Sequence, residues 1–510
     1  MGQRSTLLRK VLTVLLVLGG ASTGALAQQT LSFTLDTTEN RAPEAQAIAA
    51  MLAEIGVDAQ VRVWQSAVLV EEMQAGNRSA STGDWGSAYF DPFDLGIPKF
   101  GTQARGNRSF YSNPDVDEAF RIASTTLDDE ARRQAYFDAQ RMIFEDAPWI
   151  FGYVLENIEA ASDAVQGWQP AADNSESMHE VSVQGSDTLV VGMRTDNLLT
   201  FDPAMYRSRD TEAVLRNIFD SLVGATPEGQ VVPMLAREWR AVDDTTFEFD
   251  LVEGVTFSNG EPLTAEDVVF TFERIITEGG VDGQTSPRAG LLGPIDSVEA
   301  VDDHTVRFHY RETFPQGLLE QALVHFQIVP KDYMEEVGVA GFTQQPIGSG
   351  PFVYVGGSLD SQVTLQRNES YWQGPPPLQT LVFRMMPEPS TRVAALLSGE
   401  VQIIQEVPGD LVDRIDSAPG VSVHTAPGTR AYFIELNVSK PPFDDVRVRQ
   451  ALNYAIDWEN ILENIYRGRG QRLSTGFLPS GFGYDPDLQP YPYDPDRARE
   501  LLREAGYAVR

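Results

Sequence analysis

The chain has 510 residues, enough for two or three domains, and a formal net charge of −34 that argues against binding to nucleic acid or to anionic membrane surfaces. It contains no cysteine, which excludes disulfides, thiolate metal sites, thiol nucleophiles and lipidation at a cysteine. A hydrophobic content of 42% excludes a disordered chain.

The first 27 residues have the pattern of an export signal. Arg4, Arg9 and Lys10 precede the apolar run 11–18, and residues 25–27 (Ala-Leu-Ala) form a small-residue cleavage site. The run is too short to span a bilayer as a helix. We therefore expect cleavage after Ala27 and a periplasmic mature protein without a lipid anchor.

The next segments alternate between strand and helix patterns. Residues 31–35 and 61–64 are predicted strands, and residues 43–55 are predicted as a helix whose apolar side chains share one face. A long helix is predicted around 132–144, and an apolar strand begins near 147–151. This α/β rhythm with short connections predicts a parallel or mixed sheet.

The stretch 235–275 predicts a hairpin followed by a helix. Phe247, Phe249 and Leu251 alternate with acidic residues, as in a half-buried strand. Residues 259–260 (Asn-Gly) favour a tight turn, and Thr264 lies three residues before Asp267 as in a capping box. Apolar residues then follow at helical spacing.

This stretch closely resembles the signature segment of the bacterial family 5 extracellular solute-binding proteins, the dipeptide-, oligopeptide- and nickel-type receptors of ABC importers. The resemblance continues through 348–352 (GSGPF), 368–372 (NESYW) and 440–452 (KPPFDDVRVRQAL), and covers nearly everything after the first thirty residues. It implies an α/β periplasmic-binding-protein fold of the flytrap type, with two lobes around a central ligand cleft. Two hinge strands, near 151–154 and 430–433, would connect the lobes.

The order of the segments differs from that of the family. Segments resembling 31–168 form the family's C-terminal third, whereas here they precede those resembling 188–507. We predict a circular permutation joined through a polar linker at 171–187; the alternative is a gene rearrangement that yields a poorly folded product. The predicted domains are a signal peptide (1–27), a second lobe in two parts (28–150 and 431–510) and a first lobe (151–430) that includes the linker.

Motifs for catalysis and metal binding are not found. Of the five histidines only His304 and His309 are close, and they flank a strand-like run that would point them to opposite faces. There is no HExxH, P-loop or strand-linked GxGxxG motif, and the one GxSxG match (20–24) lies inside the export signal. We predict a binding protein rather than an enzyme, with no cofactor and no metal.

The candidate ligand groups follow from the resemblance and from the need for aromatic surfaces in a cleft. In peptide-binding members, the loop resembling 85–92 carries an Asp three residues after the Trp, and that Asp pairs with the ligand's α-ammonium. Ala88 occupies this position here. An unpaired buried ammonium would cost roughly 3–5 kcal/mol. The arginine that holds a dipeptide's carboxylate in some members would lie in the loop after Leu35, where Arg41 is close.

The remaining candidates are mostly aromatic residues, each of which could equally be packed in the core. The full predicted contact set is Trp85, Ala88, Tyr89, Phe201, Tyr206, Tyr432, Asn437 and Arg41.

The resemblance implies a monomeric periplasmic receptor that captures a peptide or peptide-like solute and delivers it to an inner-membrane ABC permease. Ala88 favours a ligand without a free α-amine, such as a modified peptide, an opine or a sugar conjugate. The scattered histidines disfavour nickel or haem. Two further hypotheses, in different classes, are a secreted hydrolase and a non-binding rearranged paralogue.

Overall fold

The computed structural model describes residues 29–86, 91–172, 177–227 and 229–510. The predicted export signal and the candidates Ala88 and Tyr89 therefore lie outside the described residues.

The strands are short and distributed along the whole described chain. They are β1 Gln29–Thr30, β2 Ser32–Thr38, β3 Asp58–Trp64, β4 Ala80–Gly86, β5 Trp149–Leu155, β6 Asn157–Ser162, β7 Val165–Gln166, β8 Ser182–Val183, β9 Thr188–Met193, β10 Val223–Ala225, β11 Val231–Pro233, β12 Ala236–Asp243, β13 Thr246–Leu251, β14 Ile295–Asp302, β15 Thr305–Tyr310, β16 Phe352–Ser358, β17 Gln362–Arg367, β18 Thr380–Met385, β19 Ile403–Ile404, β20 Val421–Ala426, β21 Arg430–Leu436, β22 Gly470–Arg472 and β23 Tyr507–Ala508.

The helices lie between these strands. They are α1 Ala42–Glu54, α2 Ser66–Gln74, α3 Gly96–Phe100, α4 Pro114–Thr125, α5 Asp129–Asp146, α6 Arg209–Leu215, α7 Ala265–Ile276, α8 Gln316–Leu323, α9 Lys331–Gln344, α10 Pro389–Ser398, α11 Gly409–Asp416, α12 Val446–Tyr454, α13 Trp458–Tyr466 and α14 Pro495–Glu504. None of the described helices is long and apolar enough to cross a bilayer.

The first lobe is built on a seven-stranded mixed sheet in the order β16-β17-β18-β9-β19-β6-β20. The first lobe also contains a separate four-stranded antiparallel sheet, β12-β13-β15-β14. The predicted strand 247–251 and the predicted helix are confirmed as β13 and α7, and Phe247, Phe249 and Leu251 are buried. The hairpin partner of β13 is β12, whereas the turn at 259–260 (Asn-Gly) lies in the irregular connection to α7. The backbone N–H of Thr264 donates to Asp267 Oδ2 at 2.8 Å, as the predicted capping box requires.

The second lobe is built on a six-stranded mixed sheet in the order β22-β5-β21-β4-β2-β3. The predicted early strands and helix are confirmed as β2, β3 and α1, with boundaries shifted by a few residues. Apolar residues of α1, α12, α13 and α14 share one buried cluster with this sheet. Within the sheet, the ring of Trp149 on β5 stacks on the ring of Phe433 on β21, with the ring centres 3.6 Å apart. The two-lobe α/β fold is therefore as predicted.

The ends of the described chain are neighbours in this lobe. β1 pairs in parallel with β23, with Gln29 opposite Tyr507 and Thr30 opposite Ala508. The backbone N–H of Arg510 donates to Ile55 O at 3.4 Å. Strands from both ends of the described chain thus pair with each other.

The chain passes between the two sheets at two places. Both predicted hinge segments lie in strands of the six-stranded sheet, β5 and β21. In the described residues, one crossover follows β5 at Glu156 and the other precedes β21 at residues 427–429. Within 171–187, predicted as a linker, β8 pairs with β7, and the side chains of Met178 and Val181 are buried in the first lobe.

The motifs GSGPF and NESYW meet around one buried carboxylate, that of Asp220. Its Oδ2 accepts hydrogen bonds from Ser349 Oγ and Trp372 Nε1, both at 3.0 Å, and its Oδ1 accepts one from Tyr371 OH at 3.1 Å. Burial raises the pKa of Asp220 despite these donors. A Cβ on Gly348 would lie 2.1 Å from Ile218 O, so the first glycine of the motif allows a close backbone approach. The motifs are structural.

We expect Asp220→Ala to lower the free energy of unfolding by about 3 kcal/mol, because it removes the carboxylate that accepts hydrogen bonds from Ser349, Tyr371 and the partly buried Trp372. Urea denaturation followed by circular dichroism measures the change. Asp196→Ala is the matched control, since Asp196 is exposed, and its unfolding curve should stay close to that of the parent. Equal curves for the two variants would contradict the structural role of Asp220.

Candidate functional site

A cleft of about 670 Å³ opens between the two lobes. This volume lies within the range of small-ligand sites. Its walls are mostly polar and come from both sheets and from the crossovers; they include Asn40, Asp94, Glu156, Asn157, Arg194, Arg207, Arg209, Glu406, Asp410, Gly428, Thr429, Arg430, Tyr432, Tyr466 and Arg469.

The two crossovers lie side by side at one edge of this cleft. A Cβ on Gly428 would lie 2.0 Å from Leu155 O, so only glycine permits this approach of the two backbones. Leu155, Glu156, Gly428 and Thr429 all line the cleft. The lobes are therefore joined by two adjacent single segments, an arrangement that permits hinge rotation.

The cleft arginines face carboxylates. Arg194 pairs with Asp210 at 2.8 Å and with Glu406 at 2.9 Å, and these two carboxylates hold the pKa of Arg194 above its usual value although burial acts against the charge. Arg469 lies 3.5 Å from Glu156. The positive charge of these two arginines is thus locally balanced.

A short turn of the second lobe, Pro92–Asp94, contacts the first lobe. The Phe93 ring meets Phe314 edge to face at 5.9 Å, and the Asp94 carboxylate lies 3.6 Å from Arg207. The buried Asp91 side chain caps the turn and accepts from Arg132 Nη2 at 2.7 Å. Residues 91–94 therefore form a contact between the lobes that is separate from the two crossovers.

Of the predicted contact residues that the structure describes, Tyr432 lines the cleft. Burial, followed by the charge of Asp84, raises the pKa of Tyr432, so its hydroxyl stays protonated at neutral pH. The Arg41 guanidinium lies 5.3 Å from the centre of the Tyr432 ring. Tyr432 thus offers the cleft a ring and a hydrogen-bonding hydroxyl.

Arg41 itself is buried behind Tyr432. It pairs with the buried Glu44 at 2.7 Å and donates to Gly83 O at 2.7 Å. Burial disfavours its charge, but Glu44 holds the pKa of Arg41 above its usual value. The described contacts of Arg41 therefore position the Tyr432 wall of the cleft.

Trp85 is half-buried beside the cleft, near the end of β4. Its Nε1 donates to Asp94 O at 2.9 Å. Its ring faces the Nζ of the buried Lys99 at 4.8 Å, and Lys99 pairs with Glu435 at 2.6 Å. Burial lowers the pKa of Lys99 despite that carboxylate. Trp85 is thus held by a hydrogen bond at its nitrogen and by a cation at its face.

Phe201, Tyr206 and Asn437 are buried away from the cleft surface. The Phe201 ring packs 4.8 Å from that of Tyr354, and both Phe201 and Tyr206 belong to the core of the first lobe. Tyr206 OH donates to Gln327 at 3.0 Å, and burial raises its pKa to about 12. Asn437 Oδ1 accepts from Ser439 Oγ at 2.6 Å and so fixes the turn after β21.

Sequence reasoning missed Glu406, Arg194 and Tyr466, which also line the cleft. Their sequence surroundings carry no motif, and their proximity results from packing of the sheets. Among the described residues, no group of three or more His, Asp or Glu side chains is arranged to hold a metal ion.

The two lobes, the adjacent crossovers and the cleft define a two-lobe solute-binding protein. A sequence model described as "Bacterial extracellular solute-binding proteins, family 5 Middle" matches residues 230–510. The chain belongs to this family, the bacterial extracellular solute-binding proteins, family 5.

Similar proteins are named for several different solutes. The chain is 32% identical over 365 residues to heme-binding protein A of Haemophilus influenzae (66% of each chain) and 33% identical over 330 residues to di/tripeptide-binding protein 1 of Pseudomonas aeruginosa (60% of this chain and 61% of that one). The matches thus cover less than two thirds of these relatives' own lengths. Both relatives are named as binding proteins and neither as an enzyme.

Two solved structures agree with the fold. DppA of Helicobacter pylori in complex with the peptide STSA is 27% identical with a TM-score of 0.52, and MoaA of Agrobacterium tumefaciens in complex with mannopinic acid is 26% identical with a TM-score of 0.51. Each match covers 63% of this chain and 66% of the other chain.

We expect Arg41→Leu to lower the free energy of unfolding by about 3–5 kcal/mol, because it leaves the buried Glu44 carboxylate without its cation. Urea denaturation provides the measurement. Arg121→Leu removes an ion pair that is exposed on a helix, and it should cause no comparable change. A stable Arg41→Leu protein with impaired ligand binding would instead assign Arg41 to the ligand.

Proposed function

We propose that this protein is the substrate-binding component of an ABC importer, which captures a peptide or peptide-like solute in the interlobe cleft and delivers it to an inner-membrane permease. The observation that carries the proposal is the cleft of about 670 Å³ between two lobes that are joined by adjacent single crossovers. Family membership and the peptide-binding relatives support it.

The proposed mechanism is closure around the solute. A solute that contacts both walls binds the closed state more tightly than the open state. This difference in affinity sets how far binding shifts the equilibrium toward closure. Rotation occurs at Glu156 and at residues 427–429, where the crossovers lie. The contacts of Phe93 with Phe314 and of Asp94 with Arg207 join the lobes in the closed state. The closed form is the form that the permease receives.

The proposed contact residues are Trp85, Ala88, Tyr89 and Tyr432. Tyr432 lines the cleft, and Trp85 lies near the end of β4, a few residues before Ala88 and Tyr89 in the sequence. Arg41 supports Tyr432 from behind. Phe201, Tyr206 and Asn437 are left out of this set because their side chains are buried in the protein interior.

A second candidate solute is a non-peptide acid such as an opine, or a sugar conjugate. Ala88 stands where the resemblance implies an ammonium-binding Asp, and a structural relative is complexed with mannopinic acid. The receptor role is the same for either solute.

We further propose that the chain is a circular permutant of the family order. It is exported with cleavage after Ala27 and acts as a monomer in the periplasm. The predicted division into 151–430 and 28–150 with 431–510 shifts by a few residues: the first lobe corresponds to 157–426, and the second lobe combines 28–155 with 430–510, because β5 and β21 belong to the six-stranded sheet. The parallel pairing of β1 with β23 supports this, because it makes the segments at both ends of the described chain neighbours in one lobe.

A solute that binds only the folded state should raise the melting temperature of the chain 28–510. Saturation at about 100 times Kd corresponds to about 2.7 kcal/mol of stabilisation. The panel for a thermal-shift assay contains di- and tripeptides, N-blocked peptides, opines and oligosaccharides. Stabilisation by any of these solutes supports the receptor role, and the chemical class that stabilises distinguishes the two candidates. A cooperative melt that no solute shifts would contradict it.

A chain in the family order should fold to the same structure if the permutation is genuine. We expect residues 178–510, a short Gly/Ser linker and residues 29–172 to give one cooperative thermal transition and the same solute profile, because β1 and β23 are already adjacent. The control places the new ends between Phe433 and Ile434, which are buried in the central strand β21, and should not fold. Loss of folding in the family-order chain would overturn the permutation.

A further inference from the structure

Glu406 combines two features that other described residues of the cleft do not combine. Its side chain is 58% exposed and lines the cleft, and its backbone has a φ of +48°. In the described chain six residues other than glycine have positive φ, and of these only Glu406 lines the cleft. Such a conformation costs about 1–3 kcal/mol, is uncommon for residues other than glycine, and clusters at functional sites.

A buried arginine holds Glu406 in this conformation. The Arg392 guanidinium donates to Gln405 O at 3.0 Å and to Glu406 O at 2.9 Å, and its Nη1 donates to Met386 O at 2.6 Å. These bonds fix the backbone on both sides of the Glu406 Cα, and Arg392 is 2% exposed. The carboxylate is therefore aimed at the cleft by a rigid support, as a recognition group must be.

The described contacts of the Glu406 carboxylate leave it able to accept further hydrogen bonds from a ligand. Arg194 Nη1 donates to Oε2 at 2.9 Å, and a carboxylate has about four acceptor positions. Arg194 also pairs with Asp210 at 2.8 Å, so it keeps a counter-charge if Glu406 turns toward a solute. The other acid of this segment that lines the cleft, Asp410, lies in the first turn of α11, where the helix dipole already stabilises its charge.

We propose that Glu406 is a ligand-binding carboxylate that receives the ammonium group of a cationic or zwitterionic solute, such as the free α-amine of a peptide. This inference rests on the proposed receptor function and names the chemistry of that cleft. It places the anionic contact on the first lobe, whereas Ala88 follows β4 of the second lobe in the sequence. A charge-assisted hydrogen bond of this type contributes strongly to affinity when it is shielded in a closed cleft.

Isothermal titration calorimetry of the full mature chain tests the inference. The probes are free-amine tripeptides, with trialanine as the reference, and their N-acetyl forms. We expect Glu406→Gln to weaken binding of the free-amine probes by about 10- to 100-fold and to leave any binding of the N-acetyl forms unchanged within about twofold. The control is Glu400→Gln: Glu400 is also 58% exposed and paired with an arginine, Arg384 at 2.5 Å, but lies outside the cleft lining. It should bind as the parent does.

The outcomes separate the two proposals. If the parent binds free-amine peptides and Glu406→Gln binds them equally well, the role of Glu406 is overturned and the receptor function stands. The role of Glu406 is also overturned if the parent binds only N-blocked peptides, which lack the ammonium group. If neither these probes nor the opines and oligosaccharides bind, the receptor function fails together with the inference. Both substituted side chains are exposed, so both variants are expected to fold. Thermal melts followed by circular dichroism check that each one does.

Discussion

The close approach of the two crossovers is the constraint on which the cleft depends. A Cβ on Gly428 would lie 2.0 Å from Leu155 O, so the backbones of the two connections are in contact where the chain leaves one sheet for the other. Since both connections join the neighbouring strands β5 and β21 to the first lobe, the arrangement permits rotation of the lobes at one place while each sheet keeps its own core. The residues that line the cleft then come from segments far apart in the chain, such as Arg194, Glu406 and Tyr432.

Each wall of this cleft is supported by charged or polar groups buried behind it. Glu44 and Arg41 lie behind Tyr432, and Arg392 holds the backbone of Glu406. Buried pairs of this kind contribute little net stability, but loss of one partner is costly. They fix side-chain positions, and each lobe therefore presents a defined wall to the cleft.

Much of the fold could be predicted from the sequence, because local patterns specify it. The alternation of Phe247, Phe249 and Leu251 predicted β13, and the Thr264–Asp267 spacing predicted the start of α7. The site was harder to predict. An aromatic residue near a turn has the same pattern whether it packs inward, as Phe201 does, or lines a cleft, as Tyr432 does. Glu406 has no sequence signal, because its conformation depends on Arg392 and its place in the cleft depends on the opposite lobe.

Small-angle X-ray scattering of the chain 28–510 tests most directly the claim that it forms one hinged, two-lobe receptor. The curves would be recorded without solute and with the solute that gives the largest thermal stabilisation. A hinged receptor should give a single compact particle in both states, with a smaller radius of gyration when the solute is bound, because the lobes close around it. Scattering from an expanded chain, or from a particle whose dimensions do not change at saturation, would contradict that claim.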